Sequence, residues 1–136
     1  MPHPTRQRPA TMTLNHLSFP SPDLEATTRF FEQQLGCTVH RMGAVNFLKH
    51  QDFDIVIEDG RLHGLGAIAW PHNFHIGFEL PTRQAVVDLS ERLTAQGLRF
   101  TQTLHHAMRG TRFFCEAPGG LVIEVNTRED AQIPLT

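Results

Sequence analysis

Two kinds of side chain that bind metals or move protons recur along this 136-residue chain at matching places. His16 stands in Asn15-His16-Leu17-Ser18-Phe19 and His75 in Phe74-His75-Ile76-Gly77-Phe78, 59 positions later. Glu58 closes Ile55-Val56-Ile57-Glu58 and Glu124 closes Leu121-Val122-Ile123-Glu124, 66 positions later. Imidazole nitrogens together with carboxylate oxygens suit borderline and harder divalent ions such as zinc, iron(II), nickel, cobalt or manganese. Three such ligands leave coordination positions open for a substrate or water. For any one of these residues the plainer alternative is an ordinary strand histidine or a solvated acid; their repetition sets them apart.

Composition narrows the partners. The chain carries nine His and no Tyr, with ten Phe and one Trp supplying the other rings, so imidazole is abundant and phenol chemistry is absent. A hydrophobic share of 40% and a charged share of 19% are those of a folding globular chain. A net charge of -2 gives no basic footprint for nucleic acid or an anionic membrane, which leaves small molecules as the expected partners. Cys37 and Cys115 lack any CxxC spacing and read as buried, reduced thiols. With no apolar h-region at the N-terminus and no run of about 18 apolar residues, a cytoplasmic location is expected.

The elements that must position these residues fall into two similar halves. Leu14 to Phe19 alternates like a strand and breaks at Pro20-Ser21-Pro22; Ser21 is the expected N-cap and Pro22 the first position of a helix carrying Leu24, Thr27, Phe31 and Leu35 on one face, stopped by Gly36. Cys37 to Arg41, Val45 to Lys49 and Phe53 to Glu58 follow as strands. After a Gly-rich connection the order repeats: a strand from Phe74 to Leu80, a helix from about Arg83 to the stop at Gly97, then strands over Leu98 to Leu104, Thr111 to Glu116 and Leu121 to Asn126. The seven-residue difference between the two offsets places a longer loop at His105 to Gly110. The division is a tail over 1–11, a first βαβββ module with linker over 12–69, a second over 70–128 and a tail over 129–136, all in one structural domain.

Several of these segments carry a resemblance. Asn15-His16-Leu17-Ser18-Phe19, Pro22-Asp23-Leu24-Glu25, Phe30-Phe31 and Leu35-Gly36 resemble the first strand and helix of the vicinal oxygen chelate superfamily, and Ala117-Pro118-Gly119-Gly120-Leu121-Val122-Ile123-Glu124-Val125 its last turn and strand. The superfamily includes glyoxalase I, extradiol dioxygenases and the fosfomycin- and bleomycin-resistance proteins. The resemblance, over about Met12 to Thr127, implies an α+β fold in which two βαβββ modules form a curved, barrel-like mixed sheet around a cavity.

It also implies a divalent metal, its identity open, on His16, His75 and Glu124, with Glu58 in the fourth position used by glyoxalase I. Glu58, next to Asp59 at a strand end, stays open between ligand and solvated acid. Glyoxalase-type chemistry then assigns the proton-moving base to Glu124. The expected activity is that of a metal-dependent lyase or isomerase acting on a small oxygenated substrate held by bidentate chelation. A metal-free drug-binding module and a fosfomycin-type thiol transferase are the alternatives. Phe114 stands where the fosfomycin-resistance enzymes place a Tyr, which weakens that last reading. His105, Arg112 and Phe114 are candidates for substrate binding. A half of roughly 60 residues buries too little to stand alone, so the modules pair within the chain or across a dimer; the resemblance, to a superfamily whose short members commonly dimerise, implies a homodimer.

Overall fold

The computed structural model describes residues 8–133; the outer parts of the two expected tails lie outside the described residues. Two modules follow one another. The first comprises β1 (His16–Ser21), α1 (Leu24–Leu35), β2 (Thr38–Arg41), β3 (Val45–His50) and β4 (Phe53–Asp59), and the second β5 (His75–Glu79), α2 (Arg83–Ala95), β6 (Phe100–Ala107), β7 (Gly110–Glu116) and β8 (Val122–Asn126). Each forms a four-stranded mixed sheet, ordered β1-β4-β3-β2 and β5-β8-β7-β6, with the first pair parallel and the others antiparallel. The α+β class and the paired βαβββ modules expected from the sequence are both present.

In each module the helix covers one face of the sheet and leaves the other open. Strand alternation sends Phe19, Leu48, Ile55 and Ile57 toward α1, and Phe113, Cys115, Ile123 and Val125 toward α2, all buried. The pattern from Leu24 to Leu35 buries Leu24, Thr27, Phe31 and Leu35, as its spacing predicts. Phe31 joins the halves: its ring lies 6.0 Å from that of Phe19 in the first module and 6.2 Å from that of Phe78 in the second. The turn at residues 117–120 adds a polar joint, where the Thr27 hydroxyl donates to the Pro118 carbonyl at 2.6 Å and the Trp70 indole donates to the Gly119 carbonyl at 3.3 Å. Burial pushes the thiols of Cys37 and Cys115 up to about 11, so both are inert at neutral pH.

Three local expectations are corrected. Strand β1 does not stop before Pro20 but runs through it to Ser21, paired with Glu58 and Asp59; β1 is an edge strand, where a missing N–H is tolerated. Asp23, not Ser21, therefore caps α1, its carboxylate accepting from the Ala26 N–H, while the Ser21 hydroxyl accepts from the Asp23 N–H. His105 and His106 lie in β6 rather than in a loop. The extra length of the second module goes into strand, eight residues in β6 against four in β2, taken up by register irregularities between Phe100 and His105.

Residues 129–133 fold back on the β6–β7 hairpin: the Asp130 carboxylate accepts from the Thr111 N–H and hydroxyl, and the Gln132 N–H donates to the Met108 carbonyl. Gly110 makes this possible, with φ +112° and a backbone so close to Thr127 that a Cβ would overlap its carbonyl oxygen. Gly110→Ala is expected to destabilise the fold by at least about 3 kcal/mol, against about 1 kcal/mol for Gly36→Ala, where only the left-handed φ is strained. Urea denaturation of both variants checks this, and equal costs would contradict the close approach.

Candidate functional site

The open face of the second sheet gathers most of the residues singled out from the sequence. Along β8, Val122, Glu124 and Asn126 point away from α2. Strand register sets His75 beside Val122 and Gly77 beside Glu124 on one flank, and Phe114 beside Glu124 and Arg112 beside Asn126 on the other; His105 on β6 stands opposite Arg112. Two histidines, an arginine, a phenylalanine and a glutamate thus share one surface.

Glu124 is its electrostatic centre. Its side chain is only 11% exposed, and burying a lone carboxylate costs several kcal/mol, so it must be paired. Arg112 Nη1 donates to Oε1 at 2.9 Å and Asn126 Nδ2 donates to Oε2 at 2.8 Å. The Arg112 guanidinium, 9% exposed, also donates through Nε to the Gly110 carbonyl. Gly77 completes the cradle: a Cβ there would lie 3.2 Å from Glu124 Oε2, so the missing side chain leaves that oxygen open on the β5 flank.

The imidazoles of His75 and His16 are oriented alike. His75 Nδ1 lies 2.8 Å from the Asn73 carbonyl oxygen, an acceptor only, so Nδ1 carries the proton and Nε2 presents its lone pair. Asn73 reaches this position with a left-handed φ of +62°, uncommon for a residue other than glycine. His16 Nδ1 donates to Asn15 Oδ1 at 2.7 Å, which again frees Nε2. A carbonyl oxygen on one ring nitrogen, with the other left bare, is the usual setting of a metal-ligating histidine.

The structure does not bring all the candidates together within one chain. His16 and Glu58 lie on the open face of the first sheet, and among the described residues no group of three or more His, Cys, Asp or Glu is close enough to share a metal ion. The register also corrects the correspondence of Glu58 with Glu124. His16 pairs with Asp54 as His75 pairs with Val122, so the position equivalent to Glu124 is Val56, and Glu58 matches Asn126. The Glu58 carboxylate instead lies 3.7 Å from His63 Nε2.

By the same register Val45, Phe47 and Val56 occupy the positions of Arg112, Phe114 and Glu124. The first module is thus apolar where the second is charged, and Phe47 is 40% exposed there. Asn126, Asn73, Asn15 and Gly77 carry no signal in the sequence, because their parts are set by register and by a turn, and neither has a fixed spacing. The alternation along Val122, Glu124 and Asn126 was the only available sign.

A paired βαβββ architecture with a His and a Glu on adjacent strands defines the class of protein. The model of the Glyoxalase/Bleomycin resistance protein/Dioxygenase superfamily matches residues 13–125, and the chain belongs to that superfamily. Among solved structures it is similar to a possible glyoxalase from Bacillus cereus, with 26% identity over 85% of this chain and 99% of that one and a TM-score of 0.72. It also shares its fold with a glyoxalase/bleomycin resistance protein/dioxygenase from Nocardioides (23% identity, 98% and 93% covered, TM-score 0.67). A lactoylglutathione lyase from Agrobacterium tumefaciens is similar as well (16% identity, 89% and 96% covered, TM-score 0.66). No curated protein matches the chain significantly in sequence.

The ion pair makes a testable demand. Arg112→Met strands the buried Glu124 carboxylate and is expected to cost about 3 kcal/mol at neutral pH. Arg112→Met combined with Glu124→Leu is expected to cost less than Arg112→Met alone, because no charge is left buried. Denaturant midpoints of the two variants decide it; an Arg112→Met loss below about 0.5 kcal/mol would mean the pair does not hold this face together.

Proposed function

We propose that the chain is a glyoxalase-like, metal-dependent lyase or isomerase that binds a small oxygenated substrate, with His16, His75 and Glu124 holding a divalent ion. The observation that carries this reading is the matched tautomer of the two histidines, each with Nδ1 tied to a carbonyl oxygen and Nε2 free. Two imidazoles and a carboxylate suit zinc, nickel, cobalt, manganese or iron(II), so the donor set fits. Val56 at the position equivalent to Glu124 favours three ligands over four and leaves Glu58 outside the set.

The ligands divide between two open faces, so a second copy completes the site: the first module of one chain faces the second module of the other in a homodimer. The contrast between the faces supports this arrangement, since Val45, Phe47 and Val56 would be covered by the partner. The bound ion would polarise two neighbouring substrate oxygens and stabilise charge that develops on them. Arg112 and Asn126 hold the Glu124 carboxylate still, and its Oε2, open past Gly77, moves a proton between adjacent carbons. Arg112, His105 and Phe114 flank the substrate. Reduced, inert cysteines suit a cytoplasmic setting.

A second reading has its own observation. Arg112 already supplies a cation at 2.9 Å from Glu124, and a carboxylate so paired needs no metal, which favours a metal-free ligand-binding module. Phe114, without a hydroxyl, gives less support to a thiol transferase.

Metal analysis separates the readings. Zinc, nickel, cobalt or manganese at about 100 times its dissociation constant should add about 2.7 kcal/mol of stability, seen as a melting shift of several degrees. His16→Ala should remove the shift and Glu58→Gln should leave it unchanged. A sedimentation mass of twice 15.4 kDa is expected. No bound metal and no thermal shift with any of these four ions or with iron(II) would overturn the metal reading in favour of the second.

A further inference from the structure

Beside His75 the open face of the second sheet runs into a hollow of about 390 Å³ whose lining, apart from His75 and Phe114, has no part so far in ligand binding. Its outer wall is the linker segment Trp70-Pro71-His72-Asn73-Phe74, and its floor includes Phe114, Gln102 and Val122. The wall is built rather than loose. The Phe74 N–H donates to the Pro71 carbonyl, the left-handed Asn73 turns the chain back to His75, and the Trp70 indole is tied to Gly119. Trp70 and Phe74 lie parallel, their centroids 5.7 Å apart and their planes 7° from coplanar, and Phe74 remains 38% exposed. Phe114 meets the His75 ring edge-on at 5.3 Å.

Charge gives the hollow a preference. Among the described residues no Lys or Arg lines it; its titratable lining groups are the Glu116 carboxylate and the imidazoles of His72 and His75. Arg99 lies 3.9 Å from Glu116 but is not part of the lining and is 78% exposed, and Arg112 is committed to Glu124. Aromatic faces present negative potential, which attracts cations and repels anions. We infer that this hollow takes a planar aromatic ring that is uncharged or cationic, so that the substrate of the proposed site bears such a ring next to its chelating oxygens. An anionic thiol peptide would find no Lys or Arg among the described residues of the lining. The link to chelating oxygens rests on the metal reading, whereas ring binding in the hollow does not.

Trp70 is the only Trp in a chain without Tyr, so its emission reports on the hollow directly. Benzylammonium, benzyl alcohol and benzoate, which share a ring and differ in charge, are titrated against the full-length protein with and without zinc. Saturable changes in Trp70 emission are expected with the first two, and benzoate should bind at least about tenfold more weakly than benzylammonium. Phe74→Ala should weaken benzyl alcohol by about fivefold, and Glu116→Gln should narrow the gap between benzylammonium and benzyl alcohol. Absence of saturation with all three probes, benzoate binding as tightly as benzylammonium, or no effect of Phe74→Ala would overturn the inference. Zinc content of the same samples keeps the two proposals apart: ring binding without zinc sinks only the metal reading, and zinc without ring binding sinks only this one.

Discussion

A carboxylate buried in the middle of a sheet must be neutralised by something, and around Glu124 that requirement organises the second module. Arg112 and Asn126 meet its two oxygens from β7 and from its own strand, and Gly77 clears the β5 side. Each partner is fixed by strand register, so a slip of one residue would turn Glu124 toward α2 and strand it among Phe113, Ile123 and Val125. The pair therefore specifies the sheet as well as the site. The first module, with Val56 in the same place, has no such demand, and Val45 and Phe47 stand where the second module has Arg112 and Phe114.

That difference sets the assembly problem. Within the chain the modules are joined on the helix side by the rings of Phe31, Phe19 and Phe78 and by the turn at residues 117–120, and among the described residues no helix covers either open face. One face carries an exposed apolar centre at Phe47 beside His16, and the other carries the Arg112–Glu124 pair beside His75. Two copies related by a two-fold axis would bring these faces together twice, closing two cups at once. The linker at residues 70–74 gives the cup its rim and draws the His75 tautomer and the aromatic wall from a single turn.

Much of this was legible in the sequence. Alternation and the stops at Gly36 and Gly97 placed the helices, and the repeat gave the paired modules. The errors came where a local signal met a tertiary one. Pro20 reads as a break, yet an edge strand tolerates it, and that moved the helix cap from Ser21 to Asp23. His105 and His106 read as a loop because a length difference in sequence points to one insertion, whereas longer strands with irregular register absorb it. Matching Glu58 to Glu124 by similar tetrapeptides missed a two-residue shift that only the pairing with β1 and β5 fixes. The Arg112–Glu124 contact, 12 residues apart on neighbouring strands, left no pattern to read.

The central claim is that one site draws His16 from one chain and His75 with Glu124 from another. Mixing a His16→Ala chain with a His75→Ala chain, after subunit exchange, tests it directly by equilibrium zinc binding. Neither variant alone has an intact site, but a mixed dimer pairs the intact first module of one with the intact second module of the other. The account predicts that zinc binding reappears in the mixture at about one quarter of the wild-type stoichiometry, half the dimers being mixed with one whole site each. A wild-type protein that binds zinc together with a mixture that recovers none would contradict it and place the whole site within a single chain.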